Sequence, residues 1–116
     1  MARRKRTASL LAVHMDLGAG RRGVDTGPSA MRVAGLRGEI EAAGWRVKEL
    51  EHVRVQAPEM AKLGSPKTRF LKAVLEVCTQ LRDETEEALA AGAMPIVLGG
   101  NHSIAMGSVS GVSRHY

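Results

Sequence analysis

The sequence predicts an α/β fold in which a parallel sheet is covered by helices on its faces. Residues 7–13 and 94–98 are short apolar runs of the kind found in strands that are buried on both sides. Longer segments with apolar residues at helical spacing lie between and after these runs. The resulting order, β-α-β-α-β-α, implies parallel strands that are joined by right-handed crossovers.

The length and composition limit the chain to one globular domain. It has 116 residues, of which 44% are hydrophobic and only 3% aromatic, so aliphatic side chains must build the core. Cys78 is the single cysteine, which excludes an internal disulfide, fits a reducing cytoplasm and predicts a buried thiol within a helix. No apolar run approaches a membrane span of roughly 18 residues or the length of a secretory signal. We therefore expect a cytoplasmic protein with no membrane partner.

The net charge of +5 at pH 7 comes mostly from the start of the chain. Without the four basic residues at positions 3–6, the chain has 13 basic and 12 acidic side chains. We expect residues 1–6 to form a disordered basic tail and residues 7–116 to form part of a single α/β domain. No basic face with interleaved aromatic residues follows the tail, so we expect no nucleic-acid partner.

The first half of the domain is predicted to contain two strands and one helix. Residues 7–13 form the first strand, and residues 16–27 form a glycine-rich loop. Pro28 suits the first turn of a helix, which we expect to end at Gly44. The apolar stripe of this helix consists of Val33, Leu36, Ile40 and Ala43. Residues 45–50 then form the second strand.

The middle of the chain is predicted to be a loop followed by a long helix. Residues 51–65 show no regular pattern and are interrupted by proline and glycine, which indicates a loop. The helix is expected to run from about residue 66 to residue 91 and to end at Gly92. Its buried stripe consists of Phe70, Val74, Val77, Leu81 and Ala88.

The end of the chain is predicted to contain a third strand and a third helix. Residues 94–98 form the strand, and the helix begins near Ser103, although Gly107 and Gly111 lower its helix propensity. A sheet of three strands has open edges that invite pairing with another chain. We therefore expect these residues to be the front part of a larger α/β domain.

The segment IVLGGNHS, residues 96–103, carries the strongest functional signal. A buried strand stops at two glycines and then presents Asn101 and His102 where a helix begins. Ligands collect at the carboxyl ends of parallel strands, and the neutral imidazole is the commonest protein ligand of transition metals. Three or more ligands are usual, and no aspartate lies near His102 in the sequence. From these residues alone, a capping or packing role for His102 stays open.

The glycines of the first loop form a second motif. Gly18, Gly20 and Gly23 have the spacing of a dinucleotide-binding fingerprint and follow a strand. In that fingerprint the glycines open directly into a helix, whereas here several residues precede Pro28. The context therefore favours a glycine loop over nucleotide binding. The adjacent Arg21 and Arg22 of this loop are candidates to line a pocket for an anionic ligand.

Two longer strings carry a family resemblance. Residues 16–32, DLGAGRRGVDTGPSAMR, continued by VAGL, closely resemble the N-terminal signature of the arginases, which are members of the ureohydrolase family. Residues 98–111, LGGNHSIAMGSVSG, resemble the first metal-ligand motif of that family. Both strings occur in the order and at about the separation that the family shows. The resemblance implies a three-layer α/β/α fold around a parallel sheet, of which this chain holds an incomplete part.

The resemblance also implies a reaction, a cofactor and a site residue. The family hydrolyses L-arginine to L-ornithine and urea with two manganese ions, and His102 matches a histidine that ligates one of them. The implied partners are a small guanidino substrate and further copies of the full-length chain, in a trimer or hexamer. Two positions depart from the family pattern. Asn101 stands where aspartate is usual, and His14 stands where proline is common.

The remaining metal ligands of the family come from an Asp-Ala-His-x-Asp motif and a later aspartate-rich motif. Neither motif occurs in these residues, so we expect the 116-residue chain to have no arginase activity alone. Three alternatives stay open. In the first, the full-length enzyme is another ureohydrolase, such as an agmatinase or a guanidino-acid hydrolase. In the second, the chain is a truncated, non-catalytic binding protein, and in the third it is a nucleotide-binding half-domain.

Overall fold

The computed structural model of the protein describes residues 4–17, 23–49, 53–55, 64 and 70–116. The loop predicted over residues 51–65 lies mostly outside these ranges, and so do residues 18–22 and the first three residues of the predicted tail. The disorder predicted for residues 1–6 stays a prediction.

The described residues contain one parallel sheet of three strands. These strands are β1 (Thr7–Ala12), β2 (Arg46–Glu49) and β3 (Met94–Leu98), in the spatial order β2-β1-β3. In the central strand, Leu10 is in register with Glu49 on one side and with Ile96 on the other. The predicted parallel arrangement is confirmed, and the third strand has the predicted bounds.

Helices cover both faces of β1. Leu11 and Val13 are fully buried and belong to the same core cluster as Val74, Val77 and Leu81 of the long helix α3 (Leu71–Ala90). Leu10 and Ala12 point to the opposite face because successive strand side chains alternate. On that face they share a small cavity with side chains of two shorter helices, namely Pro28 and Leu36. The central strand is therefore sandwiched between two helical layers.

The prediction of a single helix between Pro28 and Gly44 is wrong, because two helices occupy this segment. These are α1 (Gly27–Val33) and α2 (Leu36–Ala42). Gly35 separates them with a φ of 89°, a left-handed conformation that glycine adopts without steric cost. Val33 of the predicted stripe is 89% exposed, since the break rotates it away from the sheet. The apolar spacing across the break mimics one continuous helix.

The long helix is confirmed with a later start. Phe70 has a φ of 56° and so is not helical, and α3 begins at Leu71 rather than near residue 66. The predicted stripe is buried at Val74, Val77, Leu81 and Ala88, with Phe70 partly buried against the same core. Gly92, with a φ of 78°, follows the end of the helix as predicted. No helix in the described part of the chain is long and apolar enough to cross a membrane.

The glycines of the last helix make its packing possible. A 3₁₀ turn (His102–Ile104) leads into α4 (Ala105–His115), which packs against α3. A Cβ atom on Gly107 would lie 2.6 Å from the carbonyl oxygen of Cys78, and one on Gly111 would lie 2.6 Å from that of Arg82. The two glycines therefore lower helix propensity but allow the backbones of α3 and α4 to approach closely.

Two polar groups lie in or beside the α3–α4 contact. Cys78 is buried as predicted, and desolvation raises the pKa of its thiol above the ordinary value, while a backbone hydrogen bond from Gly107 lowers it. The net shift keeps the thiol protonated and inert near neutral pH. Thr85 is 1% exposed, and its hydroxyl oxygen has no hydrogen-bond partner.

Replacing Thr85 with valine is expected to raise the free energy of unfolding by about 1 kcal/mol, because an unsatisfied buried hydroxyl is replaced by a methyl group of similar shape. Chemical denaturation measures the change. Thr79→Val is the matched control: Thr79 is exposed on the same helix and donates to the carbonyl oxygen of Leu75, so its replacement should not stabilise. A loss of stability in Thr85→Val would contradict the prediction.

Candidate metal centre at the carboxyl end of the sheet

The carboxyl ends of β1 and β3 are joined by backbone hydrogen bonds. The N–H of Val13 donates to the carbonyl oxygen of Leu98 at 2.8 Å, which extends the ladder just past the last residue of β1. Further on, the N–H of Asn101 donates to the carbonyl oxygen of Met15 at 2.9 Å. Met15 is fully buried. The segment that carries His102 is thereby held against the segment that follows β1.

Glycine is required where these segments meet. Gly100 has a φ of 80°, and a Cβ atom there would lie 2.5 Å from the carbonyl oxygen of Met15 and 3.0 Å from that of Val13. A Cβ atom on Gly27, the first residue of α1, would collide with the carbonyl oxygen of Gly99. Two glycines from distant parts of the sequence therefore let three backbone segments converge at the end of the sheet.

The predicted ligand His102 is exposed at this end of the sheet. It is the first residue of the 3₁₀ turn that precedes α4. The neighbouring Asn101 is half-buried, and its amide nitrogen donates to the hydroxyl of Ser103 at 2.7 Å. The amide oxygen of Asn101 is buried and has no hydrogen-bond partner. The site thus offers an accessible imidazole beside a buried oxygen that lacks a donor.

Two residues that were not predicted as site residues also lie here. Asp16 is 4% exposed, and its carboxylate accepts a hydrogen bond from the N–H of Gly23 at 3.2 Å. His14 lies two residues earlier, and its Nδ1 donates to the carbonyl oxygen of Asp25 at 3.0 Å. His14 therefore ties the segment after β1 to the turn before α1. The available signal was that both residues lie within four residues of the end of a buried strand.

Gly23, the last glycine of the predicted fingerprint, does not open directly into an α-helix. After Gly23 the chain forms a 3₁₀ turn (Val24–Thr26), and α1 begins only at Gly27. This geometry agrees with the argument against a dinucleotide fingerprint. Gly18, Gly20 and the two loop arginines lie outside the described residues.

The described side chains could supply one ligand of a metal site but not a complete site. Among the described residues, no three side chains of His, Cys, Asp or Glu are grouped closely enough to hold a metal ion. Asp83 lies on α3 at the surface, where it pairs with Arg82 and Arg114. Manganese prefers oxygen ligands, so a single imidazole needs carboxylates from elsewhere to hold it.

Comparison with known proteins identifies the family. A sequence model of the arginase family matches residues 6–116. The chain belongs to the arginase family. The resemblance drawn from the two sequence strings is confirmed, and so is the arginase-like α/β fold.

Individual arginases show how much of the family fold the chain holds. It is 41% identical to an arginase from Bacillus caldovelox over 109 residues, which cover 93% of this chain and 36% of that relative. The native structure of a Bacillus caldovelox arginase superposes with a TM-score of 0.87 at 40% identity, covering 97% of this chain and 38% of that one. A Trypanosoma cruzi formiminoglutamase, at 18% identity and a TM-score of 0.67, shares the fold. The chain spans about a third of the length of the curated arginases that it matches.

Proposed function

We propose that this chain supplies part of a manganese-dependent arginase that hydrolyses L-arginine to L-ornithine and urea. The observation that carries the proposal is the exposed His102 imidazole at the carboxyl end of the sheet, in a chain of the arginase family. In this proposal residues 7–116 belong to one α/β domain, and the whole enzyme is a cytoplasmic homo-oligomer, a trimer or hexamer.

Three of the described residues of the site have a defined task in this proposal. His102 binds one of two manganese ions, which when bound supply Lewis-acid activation of water for attack on a guanidinium carbon. The hydrogen bond from Asn101 to the carbonyl oxygen of Met15 holds the segment that presents His102. The hydrogen bond from His14 to Asp25 holds the neighbouring turn in place. These contacts orient the ligand, and such supporting contacts commonly affect metal affinity.

The neutral Asn101 makes this site less negative than one with a carboxylate. Its amide contributes only hydrogen bonds, one of which goes to Ser103. A carboxylate at the same position would add a negative charge that attracts a cation. We therefore propose that Asn101 lowers the affinity for manganese relative to family members that carry aspartate here.

The chain alone is expected to release no urea from L-arginine, because one candidate ligand is fewer than a manganese centre requires. The test compares the 116-residue chain with a fusion protein in which it replaces the matching part of the Bacillus caldovelox arginase. Both are assayed for urea with manganese present. We expect activity in the fusion protein and none in the chain above a manganese-only control.

Two results would count against the proposal. Urea release by the purified chain alone would refute its inactivity. A folded fusion protein without activity would favour the alternative of a non-catalytic binding protein. A full-length version of the protein is assayed separately with L-arginine and with agmatine, because a preference for agmatine would favour another ureohydrolase.

A further inference from the structure

The amino end of the sheet carries a cleft with three cationic side chains. Arg4, Lys5 and Arg6 precede β1 and are all exposed. Together with Gly44 and Trp45 they line a cleft of about 420 Å³, a volume that suits a small molecule. Because the strands are parallel, this cleft and the candidate metal centre lie at opposite ends of β1, which is roughly 20 Å long.

Backbone contacts fix the geometry of the cleft. The N–H of Arg46, the first residue of β2, donates to the carbonyl oxygen of Arg6 at 2.8 Å, which extends the ladder between β1 and β2. Gly44 has a φ of 96° and turns the chain from α2 into β2. The N–H of Trp45 donates to the carbonyl oxygen of Ile40 at 3.3 Å. Arg6 and Trp45 are therefore held side by side on neighbouring strands.

The cleft is positively charged and has an aromatic wall. The guanidinium carbon of Arg6 lies 5.8 Å from the centroid of the Trp45 ring, within reach of a cation–π interaction. Trp45 is half-buried, so part of its indole is accessible to solvent. No carboxylate in the described part of the chain pairs with any of the three cations, whereas Arg37 on α2 pairs with two. The charge of the cleft is therefore available to an anionic ligand.

Family membership and the proposed reaction do not account for this cleft. The match to the arginase family model begins at residue 6, so Arg4 and Lys5 precede it. Cations beside an aromatic ring bind phosphate groups and stack planar bases. Trp45 is the only tryptophan in the chain, and aromatic residues make up 3% of it. The cleft therefore offers a stacking surface to a single base rather than to a strand of nucleic acid.

We propose that this cleft binds a nucleoside phosphate. Arg4 and Lys5 would contact the phosphate groups, since charge-assisted hydrogen bonds to phosphate are among the stronger ones in proteins. The base would stack beside Arg6 on the accessible part of the Trp45 indole. The two sites lie at opposite ends of the sheet, so this ligand would not compete with a substrate near His102.

The test titrates the protein with ATP in the absence of magnesium. Trp45 supplies all of the tryptophan fluorescence, so the signal reports directly on the cleft. We expect saturable quenching, with the same affinity by titration calorimetry. Inorganic tripolyphosphate should bind about fivefold or more weakly than ATP, because it has no base to stack on the indole.

A double variant, Arg4→Gln with Lys5→Gln, should bind ATP about tenfold or more weakly, because two contacts to phosphate are lost. Both positions precede β1, so circular dichroism should show an unchanged fold. The matched control is Arg54→Gln with Lys72→Gln, which removes the same charge at exposed positions outside the cleft and should bind like the unchanged chain. In calorimetry, Trp45→Leu should bind ATP and tripolyphosphate equally.

The proposal is overturned if ATP gives neither quenching nor heat, or if the two double variants bind ATP equally. Equal affinity of the unchanged chain for ATP and tripolyphosphate would also overturn it, because the base would then contribute nothing. Binding to a single-stranded oligonucleotide or to anionic phospholipid vesicles without binding to ATP would assign the cleft to another partner. None of these measurements uses manganese or L-arginine, so failure of the proposed reaction and failure of this inference are distinguishable.

Discussion

Replacing His102 with alanine in the fusion protein is expected to lower urea release by about 100-fold or more, because even residues that only support a metal ligand cost 10–100-fold when removed. The substitution is also expected to reduce the manganese retained after dialysis, measured by elemental analysis. His102 is exposed, so its truncation leaves no cavity in the core. Loss of metal and activity without loss of fold would identify it as a ligand.

The matched control for this experiment is His115→Ala. His115 is also exposed, lies at the end of α4, and contacts the ring of Tyr116 edge to face. Its replacement should leave both manganese content and urea release unchanged. Equal activity of the His102→Ala and unchanged fusion proteins would show that this imidazole holds no metal and would return it to a capping or packing role.

Gly100→Ala is expected to destabilise the chain by about 2–4 kcal/mol, the sum of a left-handed backbone penalty and an overpacking penalty. The added Cβ would lie 2.5 Å from the carbonyl oxygen of Met15, a backbone atom that cannot move aside as a flexible side chain would. Relief requires β3 to shift away from the end of β1, which breaks the hydrogen bond from Asn101 to Met15. Urea denaturation monitored by circular dichroism measures the loss.

The control for this glycine is Gly38→Ala within α2. A Cβ atom on Gly38 would meet nothing within 4 Å, so the substitution should stabilise by about 0.5–1 kcal/mol through helix propensity. We expect Gly100→Ala to lower the free energy of unfolding and Gly38→Ala to raise it. A Gly100→Ala variant as stable as the unchanged chain would show that the junction between β1 and β3 is loose.

Patterns within short stretches of the sequence were sufficient to predict most of the fold. The bounds of β3 follow from its apolar run between Gly92 and Gly99, and the buried face of α3 follows from the spacing of Val74, Val77 and Leu81. The same reasoning failed between Pro28 and Gly44. The interruption at Gly35 between α1 and α2 leaves the apolar residues at the spacing of a continuous helix. This reasoning also placed the start of α3 too early, because the left-handed backbone of Phe70 has no signature in the sequence.

The candidate site was predicted only in part. His102 stands out because two glycines and a buried strand precede it, and the family resemblance gave it a role. Asp16 and His14 were not predicted as residues of the site, because their partners, Gly23 and Asp25, are reached through the fold of a loop rather than through regular spacing. The contacts of the site that depend on a close approach of backbone segments could therefore not be predicted from the sequence, because they form only when the strands lie side by side.

The order of the strands along the chain, their parallel arrangement and the family were contained in the amino-acid sequence alone, because strand periodicity and sequence motifs are properties of neighbouring residues. The meeting of Met15 with Asn101, and the packing of Gly107 on Cys78, came only from the three-dimensional structure. These contacts join residues far apart in the chain, and their geometry depends on how the strands and helices pack. A glycine lowers the stability of an isolated helix. The structure shows why Gly107 and Gly111 are nevertheless suited to α4, because a Cβ atom at either position would collide with the backbone of α3.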